Sequence, residues 1–210
     1  MRSKGFKFCI HIMVAAFMLG NIMVAQADYL WLEPAQDGVR AYLGLHESGG
    51  KSDPASLSAK RAFLADGKDL ELQVAKDALQ VATEADGDLR LTAQAVGQDS
   101  VLHFYQAKLG RSEVKAVNDL ELVPTEPNGN TFRLVWKGSP VAASQVNVST
   151  GEGWIRTLKP AEDGSVSLKT PFPGLYILEV TARVNGSMTY QGKKYEDVRH
   201  TATLSFEVQP

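Results

Sequence analysis

Cysteine is nearly missing from this chain of 210 residues: the single one, Cys9, lies in the N-terminal apolar run, and no thiol follows it. Disulfides, zinc knuckles, iron–sulfur clusters and thiol nucleophiles are therefore excluded from residues 28–210. Positive charge is also scarce, with Lys+Arg 22 against Asp+Glu 24, and three of the basic residues, Arg2, Lys4 and Lys7, fall before the first acidic one, Asp28. Once that leader is set aside the chain is acidic on balance, which argues against nucleic acid as a partner. Signature motifs of catalysis are missing too. The sequence holds no G-x-S-x-G elbow, no G-x-x-x-x-G-K-[ST] loop, no G-x-G-x-x-G and no H-E-x-x-H, and its scattered carboxylates name no acid–base pair. No enzyme is expected on this reading.

What is present begins with an export signal. From Phe8 to Ala27 no Asp, Glu, Lys or Arg occurs, and the stretch closes on Ala25-Gln26-Ala27. A basic start, an apolar run and an A-x-A site describe a cleaved secretory leader at 1–27, with a mature chain starting at Asp28. The same run could just span a bilayer as an uncleaved anchor, at about 1.5 Å rise per residue. Cys9 lies at the beginning of the apolar run rather than at the cleavage point, so no lipid anchor is indicated. A mature chain of this length can bury one or two cores without covalent staples.

Beyond the leader the hydrophobic period is two, the signature of strands with one buried face. Ala202, Leu204, Phe206 and Val208 alternate with Thr201, Thr203, Ser205 and Glu207, and similar runs occur at 120–123, 132–136, 146–148, 166–168 and 176–180. Turn signals such as Pro127-Asn128-Gly129-Asn130, Lys137-Gly138-Ser139-Pro140 and Asn185-Gly186 separate them. Residues 119–210 read as an antiparallel immunoglobulin-like or transthyretin-like β-sandwich. Residues 28–118 read as an N-terminal β subdomain, with Val39, Ala41, Leu43 and Leu45 on one strand face and further strands at 70–74, 89–95 and 101–105. Asp53-Pro54 supplies an N-cap and a first helical residue, predicting one short helix over Ala55 to Arg61. The polar stretch from Arg111 to Asn118 marks the boundary between the halves.

Three histidines follow the leader. His46 ends the first-half strand, His103 alternates with Leu102 and Phe104, and His200 opens the last strand behind Tyr195-Glu196-Asp197-Val198-Arg199. His46 and His103 are expected off the apolar face and His200 outside the core, and each alone reads first as a structural histidine. Strand ends gather at the poles of a sandwich, so these imidazoles can converge with carboxylates and the Asp28 terminus. Such a donor set suits nickel, cobalt, copper, zinc or iron. The segment Tyr29-Leu30-Trp31-Leu32-Glu33-Pro34 reads as an edge strand inserting Trp31 into the core, with Pro34 ending its pairing. It reads alternatively as a docking segment.

Taken in order, Asp28-Tyr29-Leu30-Trp31-Leu32-Glu33-Pro34, Val39-Arg40-Ala41-Tyr42-Leu43-Gly44, His103-Phe104-Tyr105-Gln106-Ala107-Lys108, Leu120-Glu121-Leu122-Val123-Pro124, Lys137-Gly138-Ser139-Pro140-Val141, Pro173-Gly174-Leu175-Tyr176 and 195–204 form a pattern. It resembles the bacterial periplasmic domain-of-unknown-function family linked to nickel and cobalt uptake. The resemblance implies a periplasmic, mostly β, non-catalytic component of nickel or cobalt transport, found in other settings beside outer-membrane receptors for iron. It also implies a histidine at the mature start, where this chain has Asp28. The metal ligands expected on these grounds are His200 with Glu196 or Asp197, His103, His46 and Asp28. The competing expectation is a metal-free docking module for a membrane receptor or transporter, with an exposed apolar patch around Tyr29 and Trp31 and scattered histidines.

Overall fold

Alternating sequence becomes strand almost throughout. A computed structural model describes residues 28–83, 87–97 and 100–210; the expected leader at 1–27 lies outside the described residues. The first half carries β1 (Tyr29–Ala35), β2 (Gly38–Leu45), β3 (Gly50–Ser52), β4 (Ser58–Phe63), β5 (Asp69–Leu70), β6 (Leu72–Val74), β7 (Leu79–Val81), β8 (Leu89–Val96) and β9 (Val101–Leu109). The second carries β10 (Leu120–Pro124), β11 (Thr131–Trp136), β12 (Ser139–Val141), β13 (Val146–Thr150), β14 (Ile155–Leu158), β15 (Val166–Ser167), β16 (Gly174–Val184), β17 (Met188–Tyr190), β18 (Lys193–Tyr195) and β19 (Asp197–Val208). The chain is mainly β, with antiparallel sheets. Among the described residues no helix is long and apolar enough to cross a membrane.

One eight-stranded sheet, in the order β14-β13-β16-β19-β9-β8-β4-β5, runs through both halves. Its strands pair antiparallel except at the seam, where β19 and β9 run parallel, Thr201 opposite Tyr105 and Thr203 opposite Ala107. Registered residues on neighbouring strands share a face, and this decides the layering. Tyr105 and Ala107 enter a core made with Leu30, Leu32, Ala41, Leu79 and Leu91, beneath the sheet of β1, β2, β3, β6 and β7. Ala202, Leu204 and Phe206 enter a second core with Leu122, Phe132, Val148, Tyr176 and Leu178, beneath the sheet of β10, β11, β12 and β15. Ala202 is registered with Gln106, not Tyr105, so the two cores lie on opposite faces of the shared sheet.

Aromatic packing carries much of the second core: Phe206 stacks on both Phe132 and Tyr176 at 5.8 Å, and each such ring contributes about 1.5–3 kcal/mol by burial. In the first layer Gly44, at φ +142, lets the Gly50 carbonyl of β3 approach where a Cβ would collide.

Two local expectations are corrected. Asp53 does cap a turn, its side chain accepting from the Ala55 N–H at 2.8 Å, but the turn is a three-residue 3-10 helix, Pro54–Ser56. From Ser58 the chain is β4, because Ala62 and Phe63 pair with Leu91 and Arg90 of β8, and sheet pairing overrides helix propensity. Pro34 does not end pairing either; it sits opposite Val39 within β1. As an edge strand of its sheet, β1 tolerates a residue without an N–H.

Candidate functional site

The residues expected to ligate metal do not meet as one set. Asp28, leading into β1, accepts a hydrogen bond from Ser52 Oγ at 2.6 Å. His46 opens a 3-10 turn, His46–Ser48, its Nδ1 3.0 Å from Ser149 Oγ on β13 and its ring edge-on to Trp31 at 5.5 Å. Burial holds its imidazole below the ordinary value. Trp31 is 1% exposed and Tyr29 3%; the expected exposed apolar patch around them is corrected, because both pack with Tyr42 and Ile177 against the central sheet.

His103 lies on β9, on the first-core face with Tyr105, on which it stacks at 5.7 Å; this corrects the expectation that it lies off the apolar face. Its Nδ1 is buried and has no hydrogen-bond partner among the described residues. Burial, then the Arg199 guanidinium, depresses its protonation, while the Asp197 and Asp28 carboxylates pull the other way. Asp28 also acts on Tyr105, so Asp28 and His103 share one electrostatic environment.

His200 is a core residue, 4% exposed, which corrects the expectation that it lies outside the core. Its ring stacks on Phe104 at 4.6 Å and meets Trp136 edge-on at 4.7 Å. Its Nδ1 accepts from the Gln106 amide at 3.2 Å when that amide is oriented to satisfy Asp119 and Leu120 as well. Burial pushes its pKa down to about 4, so it is neutral at ordinary pH. Asp197 points to the other face of β19 and holds Arg183 at 3.2 Å and Arg199 at 3.1 Å. Glu196 is exposed and paired with Lys194 at 2.6 Å. Among the described residues no group of three or more His, Cys, Asp or Glu is placed to hold a metal ion.

Two arrangements escaped the sequence. One is the Ser149–His46 pair, which brings a hydroxyl and an imidazole together across 103 positions. The adjoining cavity, between Tyr29, Glu47, Asn147 and Ser149, is about 20 Å³, room for about one water rather than a substrate. The pair acts as a tether between the two halves.

The other is a buried charge network behind β8 and β9. Arg90 Nη2 donates to Glu121 at 2.9 Å, and Arg90 also pairs with Glu113; Lys108 Nζ lies 2.9 Å from Asp88 and 3.7 Å from Glu121. Backbone N–H groups of Val117 and Asn118 complete the Glu121 shell, and Ser112 and Glu113 complete that of Asp88. Burial alone would lower the Arg90 pKa and raise that of Asp88; their partners more than offset it. Alternation marks Arg90 and Lys108 as facing away from the first core. The segment from Ser112 to Asn118 and the layer containing β10 together remove them from solvent.

An open groove of about 440 Å³ lies beside the second core between β11–β12 and the far end of β16. Leu134, Trp136, Val141, Val180 and Val184 line it, and the small side chains of Ala142 and Ala143 leave it open. No protein-family model matches the chain, and no curated protein matches it either.

Proposed function

We propose that the protein is a non-catalytic docking module of the bacterial envelope, exported through residues 1–27 and engaging a membrane receptor or transporter component. The observation that supports this reading over metal handling is the dispersal of the imidazoles: His46 is tethered to Ser149, His103 faces the first core, and His200 is sealed on the opposite face. A metal centre needs three or more donors converging at about 2.0–2.2 Å. The docking surface is sought away from the buried Tyr29 and Trp31, on the second sandwich with its open groove. The test is site-specific photo-crosslinking in intact cells from exposed positions on both sandwiches, Lys76 and Asp66 on one, Val141 and Thr181 on the other. One discrete adduct with an envelope protein is expected; no adduct from any position would end the docking reading.

A second reading, nickel or cobalt handling at the Asp28 end, is favoured by one observation. Asp28 and His103 share an environment, and the buried His103 Nδ1 has no partner among the described residues. Cleavage before Asp28 would add an amine to that carboxylate and imidazole. Calorimetric titration of the exported protein with nickel, cobalt, zinc, copper and ferric iron decides it. Submicromolar binding lost in His103→Ala would establish metal handling; heats of dilution alone would dismiss it.

A further inference from the structure

The strands beside β16 cover its two margins unequally. On one side β19 pairs with it along its whole length, from Gly174 opposite Val208 to Val184 opposite Val198. On the other, β13 pairs only from Tyr176 to Glu179, and the chain between β12 and β13 then swings away to the other sheet. Among the described residues, no strand and no loop backbone hydrogen bond occupies that margin from Thr181 to Val184. Free N–H and C=O groups on a strand margin are a template for another strand. This margin opens onto the apolar groove.

We propose that the Thr181–Val184 margin accepts an extended segment of a partner protein as an added strand, one in which apolar residues alternate with acidic ones. The proposal rests on the docking reading and specifies its surface and partner chemistry. A strand seated there lies about 4.8 Å from β16 and presents alternate side chains to its two faces. On the groove face they meet Ala182, Val184 and Trp136, each half-buried, Ala182 and Trp136 at the border of the second core and Val184 beside Leu102, Tyr195 and Val198. On the opposite face the cross-strand neighbour is Arg183, 67% exposed in its side chain. Arg183 and Arg199 share the single carboxylate of Asp197, and Glu179, on the same face, is taken up by Asn147 and Thr181, so the exposed Arg183 is the group at this margin that an acidic residue complements. A second copy is disfavoured by the same residue: two-fold pairing along this margin would set one Arg183 near the other, and like charges across a strand pair are destabilising.

The test uses the protein purified after export and two labelled ten-residue probes, one alternating Val and Glu, the other alternating Val and Lys. The Val/Glu peptide is expected to bind saturably, roughly fivefold or more tightly than the Val/Lys peptide, and to slow amide exchange at Thr181–Val184. Arg183→Glu, at an exposed position, should invert the preference. Absence of Val/Glu binding, a preference unmoved by Arg183→Glu, or protection elsewhere would overturn the proposal. Protection of the same four residues by self-association without peptide would overturn it in favour of a second copy. Cellular adducts from positions remote from this margin, with no peptide binding, would leave the docking reading standing while removing this surface.

Discussion

His103 and His200 project from opposite faces of one sheet. They sit on adjacent parallel strands one position out of register, Arg199 opposite His103 and His200 opposite Phe104, and a one-residue offset reverses side-chain direction. A full sheet thickness therefore separates two residues that the linear sequence offers as co-ligands.

The first prediction concerns which histidine can be removed. His200→Ala deletes a ring packed between Phe104 and Trp136 and should cost about 3 kcal/mol by cavity formation. His103→Ala, at a half-buried ring, should cost less than half of that. Urea denaturation of the two single variants checks the order. Metal titrations are then to be read from the His103 variant, since loss of binding in a destabilised His200 variant would reflect unfolding.

Acid should weaken the protein through His200. Its folded pKa, about 4, is below the unfolded value near 6.5, so between these values the unfolded chain takes up a proton that the folded one refuses. Stability is constant above about pH 6.5 and falls as pH drops toward 4. From this group alone the loss between pH 7 and 5 is about 2 kcal/mol. His200→Phe should lessen the pH dependence by that amount in parallel urea melts, and an unchanged slope would contradict the assignment.

Glu121 is the hub of the buried network, 1% exposed and bonded to Arg90. Glu121→Ala leaves two buried cations short of a partner and should cost about 3–5 kcal/mol. Glu196→Gln, which breaks a pair more than half exposed on both sides, should change stability by less than about 1 kcal/mol. Guanidinium denaturation midpoints measure both.

Asp88 gives a separate acid signature. Lys108, the Glu113 N–H and Ser112 hold its carboxyl below the usual range despite burial, so its stabilising contribution is complete above the unfolded carboxylate pKa, near 4. That contribution is lost as pH falls through the depressed folded value. The stability gap between the wild-type protein and Asp88→Asn should be constant from neutral pH to about 4 and narrow below it, as read by circular dichroism melts.

Much of the architecture was legible in particular residues. Alternation at Ala202, Leu204 and Phe206 located the last strand and the face that enters the second core, but it left the other face open to solvent, whereas Thr201, Thr203 and Ser205 are buried as well. Asp53-Pro54 announced a capped turn, and Trp31 a buried anchor. The helix over 55–61 was misread because local capping chemistry carries no information about the β8 margin that pairs with Ala62 and Phe63. The alternative of an exposed aromatic patch fails for the same kind of reason: nothing in Tyr29-Leu30-Trp31 says which sheet will cover it.

What the sequence determined by itself is the mainly β architecture, the absence of thiols after residue 27, and the places of the clearest alternating strands, such as β2, β9, β16 and β19, because these follow from residue type and a period of two within a few neighbours. What only the tertiary structure decided is which side of a shared sheet each strand face looks toward. The parallel seam between β9 and β19 buries His200, the layer containing β10 encloses Arg90 and Lys108, and the early end of β13 leaves one margin of Thr181–Val184 without a strand partner among the described residues. Each of these depends on contacts between segments tens of residues or more apart, where side-chain alternation specifies two faces but not what will cover them.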